Sequence, residues 1–206
     1  MDRRSADTGV GHDSDDRHLV ETTVGTEELL RGRFLHVQRD TVALPDGGTA
    51  TREFVRHPGA VMVVPVLDDG RLLLERQWRH PLQRVLLEFP AGKIDPGEDP
   101  WTTGRRELLE ETGYTAREWA HAAWMHNAPA YSDEGIDVWF ARGLKAGPAH
   151  LDEGEFIETV AMPADALDAL AARGELTDAK TLVGLLWFRR WQSGDWPLHW
   201  QEAASI

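Results

Sequence analysis

The stretch at residues 91–114, AGKIDPGEDPWTTGRRELLEETGY, constrains this chain more than any other part of it. It dictates a loop followed by a helix. Asp95-Pro96-Gly97 is a type II turn by composition, because Pro fixes φ at the first corner and Gly accepts positive φ at the second. From Asp99 the period changes. Asp99 serves as an N-cap, Pro100 suits the first helical position, and Gly113 stops the helix. Along that helix Glu107, Glu110 and Glu111 stand at i, i+3 and i+4, so three carboxylates share one face within a turn. Like charges so close destabilise a helix unless something offsets them. A hard divalent cation such as Mg²⁺ does so, since it prefers oxygen ligands and keeps several waters. Arg106, four residues before Glu110, is spaced to orient a carboxylate. Glu110-Glu111 alone reads first as a solvated acidic face; the whole string must carry the chemistry.

Composition narrows the class. The 206 residues suffice for one domain, or one with a small appendage, and 41% hydrophobic with 28% charged residues is a globular balance. No run approaches the roughly 20 apolar residues of a membrane span, and the polar N-terminus lacks the apolar core of a secretory signal. Cysteine is absent, which excludes disulfides, thiolate metal sites and a cysteine nucleophile, and a cytoplasmic protein is expected. With 22 basic and 35 acidic residues the net charge is 22 − 35 = −13. That argues against a nucleic-acid partner gripped through phosphates and suits a chain that collects divalent cations. No membrane partner is expected either.

Residues 1–18 are polar and aperiodic and read as a disordered tail. Over 19–57, alternating runs at Arg33 to Val37, Thr41 to Leu44 and Ala50 to Val55, with a turn at 45–48, predict an antiparallel unit of about three strands. The remainder, 58–206, reads as the main domain. Strands are predicted over Ala60 to Leu67, Arg71 to Gln77, Val85 to Phe89, 119–126 and 136–142. Helices are predicted over Pro163 to Arg173 and Asp178 to Gln192, the second with Leu182, Leu185, Leu186 and Trp191 on its period. A mixed sheet covered by helices follows. Nine tryptophans are unusual, and Trp187, Trp191, Trp196 and Trp200 read as core or dimer surface.

Gly92, Glu98, Arg106, Glu107, Leu108, Glu110, Glu111, Gly113 and Tyr114 match the pattern Gly-x5-Glu-x7-Arg-Glu-U-x-Glu-Glu-x-Gly-U, with U apolar. At roughly 9% usage for each of the seven strict positions, chance gives on the order of 10⁻⁵ along the chain. The string is the Nudix box, and the sequence resembles a Nudix hydrolase; tyrosine at 114, where an aliphatic residue is commoner, can still bury its ring. That resemblance implies an α/β/α sandwich around a mixed sheet and hydrolysis of a nucleoside diphosphate linked to another group. It implies Mg²⁺ or Mn²⁺ on Glu107, Glu110 and Glu111 with the Ala91 carbonyl, and Glu98 and Arg106 bracing loop against helix. The flanks Arg52 to Val61, Glu75 to Arg79, Leu87 to Gly92, Pro129 to Glu134 and Asp178 to Thr181 resemble the ADP-ribose pyrophosphatase branch. There the small β unit is expected to be exchanged within a homodimer. By that resemblance Arg79 and Glu134 contact ADP-ribose, Arg52 and Glu53 reach its adenine end across the dimer, and a later glutamate is the general base. Glu153 is the closest match for that base, with Glu155 as metal ligand or substitute. The alternatives are other nucleoside diphosphate sugars, or a regulator that binds ADP-ribose without cutting it. The intact box and the lack of a basic DNA-binding helix disfavour the regulator.

Overall fold

A computed structural model describes residues 16–203, starting with a 3-10 turn at Asp16–His18. Of the tail expected over 1–18, residues 1–15 lie outside the described residues. The chain divides into two units. The first holds the described residues up to His57 together with Ala130–Asp133. Its strands β1 (Thr22–Arg31), β2 (His36–Ala43) and β3 (Thr49–Arg56) form an antiparallel sheet in the order β1-β2-β3. The sequence pattern predicts no strand at β1, and its burial says why: all ten residues are exposed, so no apolar alternation marks it. The two runs expected around Arg33 and Thr41 are instead the approach to β2 and its far end. Charged rungs hold this sheet. Arg39 lies opposite Glu53 and bonds it at 2.6 Å, with Glu27 at 3.2 Å on its other side. The segment 130–133 closes on β3: Val55 N–H donates to the Tyr131 carbonyl at 2.8 Å, and Asp133 accepts from Arg56 and from the His57 N–H, each at 2.7 Å.

The second unit is built on β4 (Ala60–Val66), β5 (Leu72–Arg79), β6 (Arg84–Glu88), β7 (Ala91–Lys93), helix α1 (Pro100–Thr112), β8 (Tyr114–His126), β9 (Gly135–Ala146), β10 (Ile157–Met162), α2 (Ala164–Ala172), α3 (Ala179–Gln192) and β11 (Gln201–Glu202). The sheet runs β10-β5-β4-β9-β8-β11, with β6 on β5 and β7 on β4. β4 and β9 are parallel; the other pairs are antiparallel. β4 is buried along its whole length, as its unbroken apolar run demands. Val61 and Val63 pack with Leu108 of α1, Trp119 and Ala141. Met62, Val64 and Val66 point the other way, into Leu72, Leu74, Phe140, Leu167 of α2 and Leu185 and Phe188 of α3. Helices therefore cover both faces, and each such buried side chain contributes about 1.5–3 kcal/mol. This is the α/β/α sandwich expected.

Two details differ from the sequence reading. The buried face of α3 is Thr181, Gly184, Leu185 and Phe188, leaving Leu182 and Leu186 exposed. A hydrogen bond turns the helix that way: Thr181 Oγ1 accepts the Phe89 N–H at 3.0 Å. The acidic segment 152–158 is not all loop, because β10 begins at Ile157 and sets Glu158 opposite Arg76, with which it ion-pairs. Among the described residues no helix is long and apolar enough to cross a membrane.

Candidate active site

α1 is set by its ends. Asp99 accepts the Thr102 N–H at 2.8 Å, and Gly113, at φ +76°, caps the other end with its N–H on the Leu109 carbonyl at 2.9 Å. Between them the helix presents Arg106, Glu107, Glu110 and Glu111 toward β7. The approach is so close that a Cβ on Gly92 would lie 1.9 Å from Glu107 Oε1. Only glycine leaves Glu107 in that position.

Arg106 joins the loop to the helix. Its Nε bonds Glu98 at 3.0 Å, Nη2 reaches Glu98 at 3.0 Å and the Lys93 carbonyl at 3.2 Å, and Nη1 bridges Glu107 at 2.8 Å and Glu110 at 2.9 Å. The Glu98 hydrogen bond raises the Arg106 pKa, and the same contact holds Glu98 below the usual carboxylate range. Thr103 Oγ1 completes the brace at 2.8 Å from Glu98. Glu111 lies deeper, 6% exposed, and accepts the Ala91 N–H at 3.0 Å. Ala91 thus meets the cluster here through its N–H, whereas its carbonyl was the expected ligand.

Burial pushes Glu107 up to about 7, against the pull of Arg106. Burial likewise raises Glu111, reinforced by the carboxyl of Glu75 that faces it and by the charges of Glu107 and Glu155. Glu155 therefore belongs to this neighbourhood; its Oε1 also lies 3.5 Å from Gln77 Nε2. Glu153, the first choice as base, is instead exposed in the turn beside it.

The remaining expected residues are held by partners of their own. Arg79, at the end of β5, is clasped by Glu88 through Nε at 2.7 Å and Nη2 at 2.8 Å. Glu134 accepts from Asn127 Nδ2 at 2.7 Å. On β3, Arg52 ion-pairs with Glu21 and Glu53 with Arg39. Sequence reasoning assigned no role to Glu75 and Glu88, both fully buried acids on neighbouring strands. Burial alone would raise Glu88, but hydrogen bonds from Arg79 and the charge and bond of Lys180 outweigh it and hold it low. Their signal was available: a glutamate after the run Leu72-Leu73-Leu74, and another before Phe89.

A cation fits this donor set. The groups are hard oxygens, graded from the half-buried Glu110 to the buried Glu111, and more numerous than the positive charges beside them. Among the described residues no three acidic or histidine side chains yet converge tightly enough to enclose a metal ion. The Arg106 guanidinium lies between Glu107 and Glu110 and bonds both.

Comparison with known proteins bears on this site. The NUDIX domain family matches residues 56–185, and the nucleoside diphosphate sugar hydrolase N-terminal domain matches residues 21–55. The chain is 38% identical over 172 residues to an ADP-ribose pyrophosphatase of Bacillus subtilis (strain 168), covering 82% of this chain and 92% of that protein. It is 38% identical over 167 residues to a methanol dehydrogenase activator of Bacillus methanolicus, covering 80% and 90%. Its fold resembles the crystal structure of an ADP compounds hydrolase with a TM-score of 0.76 at 28% identity, covering 84% of this chain and 95% of that one.

Proposed function

This chain belongs to the Nudix family of pyrophosphohydrolases, and from that premise we propose that it cleaves the pyrophosphate of ADP-ribose to AMP and ribose 5-phosphate with Mg²⁺, for which Mn²⁺ substitutes. One observation carries the substrate: a box helix dense in carboxylates and an N-terminal sheet of the nucleoside diphosphate sugar hydrolase type stand on one chain, and a relative matched across both is an ADP-ribose pyrophosphatase. In this reading Glu107, Glu110 and Glu111 hold the cation. When bound, it supplies charge neutralisation of the pyrophosphate and a more acidic attacking water.

The chain's own groups do the rest. Glu155, beside the cluster, supports the role of proton acceptor better than the exposed Glu153. Arg79 is oriented by Glu88, which leaves its Nη1 edge for a phosphate oxygen. Glu134, an acceptor, suits a sugar hydroxyl. We assign Arg52 and Glu53 to the adenine end, supplied by a second copy of the chain. A dimer is supported by the small sheet itself: Val42 is its only buried apolar side chain among the described residues, while Val24, Leu29, Leu30 and Phe34 are exposed. A sheet so thin needs a further surface. The absence of cysteine suits a cytoplasmic enzyme.

The test is a product assay with ADP-ribose, ADP-glucose and GDP-mannose in Mg²⁺. ADP-ribose should lead in kcat/KM by at least about tenfold, since one lost buried polar contact costs about 1–3 kcal/mol. Equal cutting of a non-adenine sugar nucleotide would overturn the substrate and favour a second, broader reading, to which the N-terminal domain match points.

A further inference from the structure

We propose that Glu75 is a further member of the divalent-cation site, closing its buried end behind the carboxylates of α1; this rests on reading that cluster as a cation site. Glu75 stands on β5 between Leu74 and Arg76, paired across the sheet with Glu88 on one side and Thr159 on the other. It is 0% exposed, and neither carboxyl oxygen has a hydrogen-bond partner. What faces it is another carboxyl, that of Glu111, whose own protein donor is the single N–H of Ala91.

The chain's cations near Glu75 are committed elsewhere. Arg79 closes on Glu88 through two N–H groups, and Lys180 on Glu88 and on Asp178, the latter at 3.1 Å. Arg106 is taken by Glu98, Glu107 and Glu110. Among the described residues no lysine or arginine ion-pairs with Glu75 or Glu111. A buried carboxylate without a donor is heavily penalised, so something outside the chain must compensate the pair. A shared proton would satisfy one oxygen of each carboxyl and leave a Glu75 oxygen bare. A hard dication with its retained waters supplies both positive charge and donors for all of them. An apolar residue at this buried strand position would pack without any of that difficulty, which makes the glutamate informative.

The experiment uses the full chain with Glu75→Gln and Glu75→Leu, titrated with Mn²⁺ alone by calorimetry. Circular dichroism checks each fold, and if one variant does not fold the other decides. Both substitutions should weaken Mn²⁺ binding at least tenfold, while the metal-free melting temperature stays level or rises because a like charge has gone. Glu75→Gln binding Mn²⁺ within threefold of wild type would overturn the inference alone, leaving Glu75 as a neutral acid that an amide can mimic. A wild-type chain that binds no Mn²⁺ would overturn the cation reading of the whole cluster, and this one with it.

Discussion

Arg106 and Glu111 are only five residues apart on one helix, yet their electrostatics run in opposite directions. Arg106 hydrogen-bonds three carboxylates and is held firmly charged; Glu111 has a backbone N–H and a carboxyl in front of it, and burial raises its pKa. Burial disfavours the charge of such a group, and a bound cation would favour it. We expect Glu111→Gln to fold normally and to lose roughly 10³-fold or more in kcat at saturating Mg²⁺, because an amide preserves the shape and removes the charge. Retention of more than a tenth of wild-type kcat would exclude Glu111 from the cation's ligands. For the base, Glu155→Gln should lower kcat by about 10²–10⁴-fold with little change in KM, and Glu153→Gln should remain near wild type. The reverse pattern would return the role to the turn. The α1 carboxylates, Glu98 and Arg106 were legible because helical spacing and a capped loop fix their neighbours within a few residues. Glu75 was not, since what gives it meaning is Glu111, 36 positions on, brought opposite only by the packing of α1 on the sheet.

At the scale of elements, the box is a strand, a turn and a helix pinned by a glycine near each end, and the two glycines fail differently. At Gly92 an added Cβ meets the carboxylate end of Glu107, a flexible side chain that can swing away. Gly92→Ala should therefore leave the melting temperature nearly unchanged while moving Glu107 off the site, with at least a tenfold loss in kcat and weaker Mg²⁺ binding. At Gly113 the φ of +76° is costly for alanine, and its Cβ would lie 2.4 Å from the Gly147 carbonyl oxygen, which is backbone. Gly113→Ala should cost about 1 kcal/mol for the left-handed conformation and more for the collision, read as a lower urea midpoint. An equal loss of stability from both would mean that Glu107 cannot swing aside. Legibility followed exposure here. β4 is buried throughout and reads as an unbroken apolar run, and α1 is bounded by its caps, so the sequence shows them. β1 lies wholly in solvent, and β10 follows an acidic turn and has a glutamate as its second residue, so neither shows an apolar pattern. On α3 Leu182 and Leu186 pointed to the wrong face because a threonine hydroxyl bond, not leucine area, decides which side meets the sheet.

Over the whole molecule, a charge of −13 would ordinarily favour high stability near neutral pH only if the acids were paired. Many are, but Glu107 shares Arg106 with two other carboxylates, and among the described residues no lysine or arginine ion-pairs with Glu75 or Glu111. Each of Glu107, Glu75 and Glu111 has a folded-state pKa raised above the ordinary 4.5 by burial, Glu107 to about 7. Between about pH 4.5 and 7 the folded chain therefore holds protons that the unfolded chain has released. Bound protons in excess on the folded side mean that stability falls as pH rises. Glu88 and Glu98, held low by their cationic partners, act oppositely, but their contribution is lost only as pH falls below the ordinary carboxylate range. The expected result in EDTA is a melting temperature that declines from about pH 5 to pH 8. Millimolar Mg²⁺ should flatten that decline and raise the melting temperature most at the alkaline end, because a cation bound only by the folded state stabilises it and competes with protons for the same oxygens. A melting temperature that climbs over this range in EDTA would show that the buried carboxylates are already compensated within the chain. A rise with Mg²⁺ of equal size at both ends would show that the ion binds away from them.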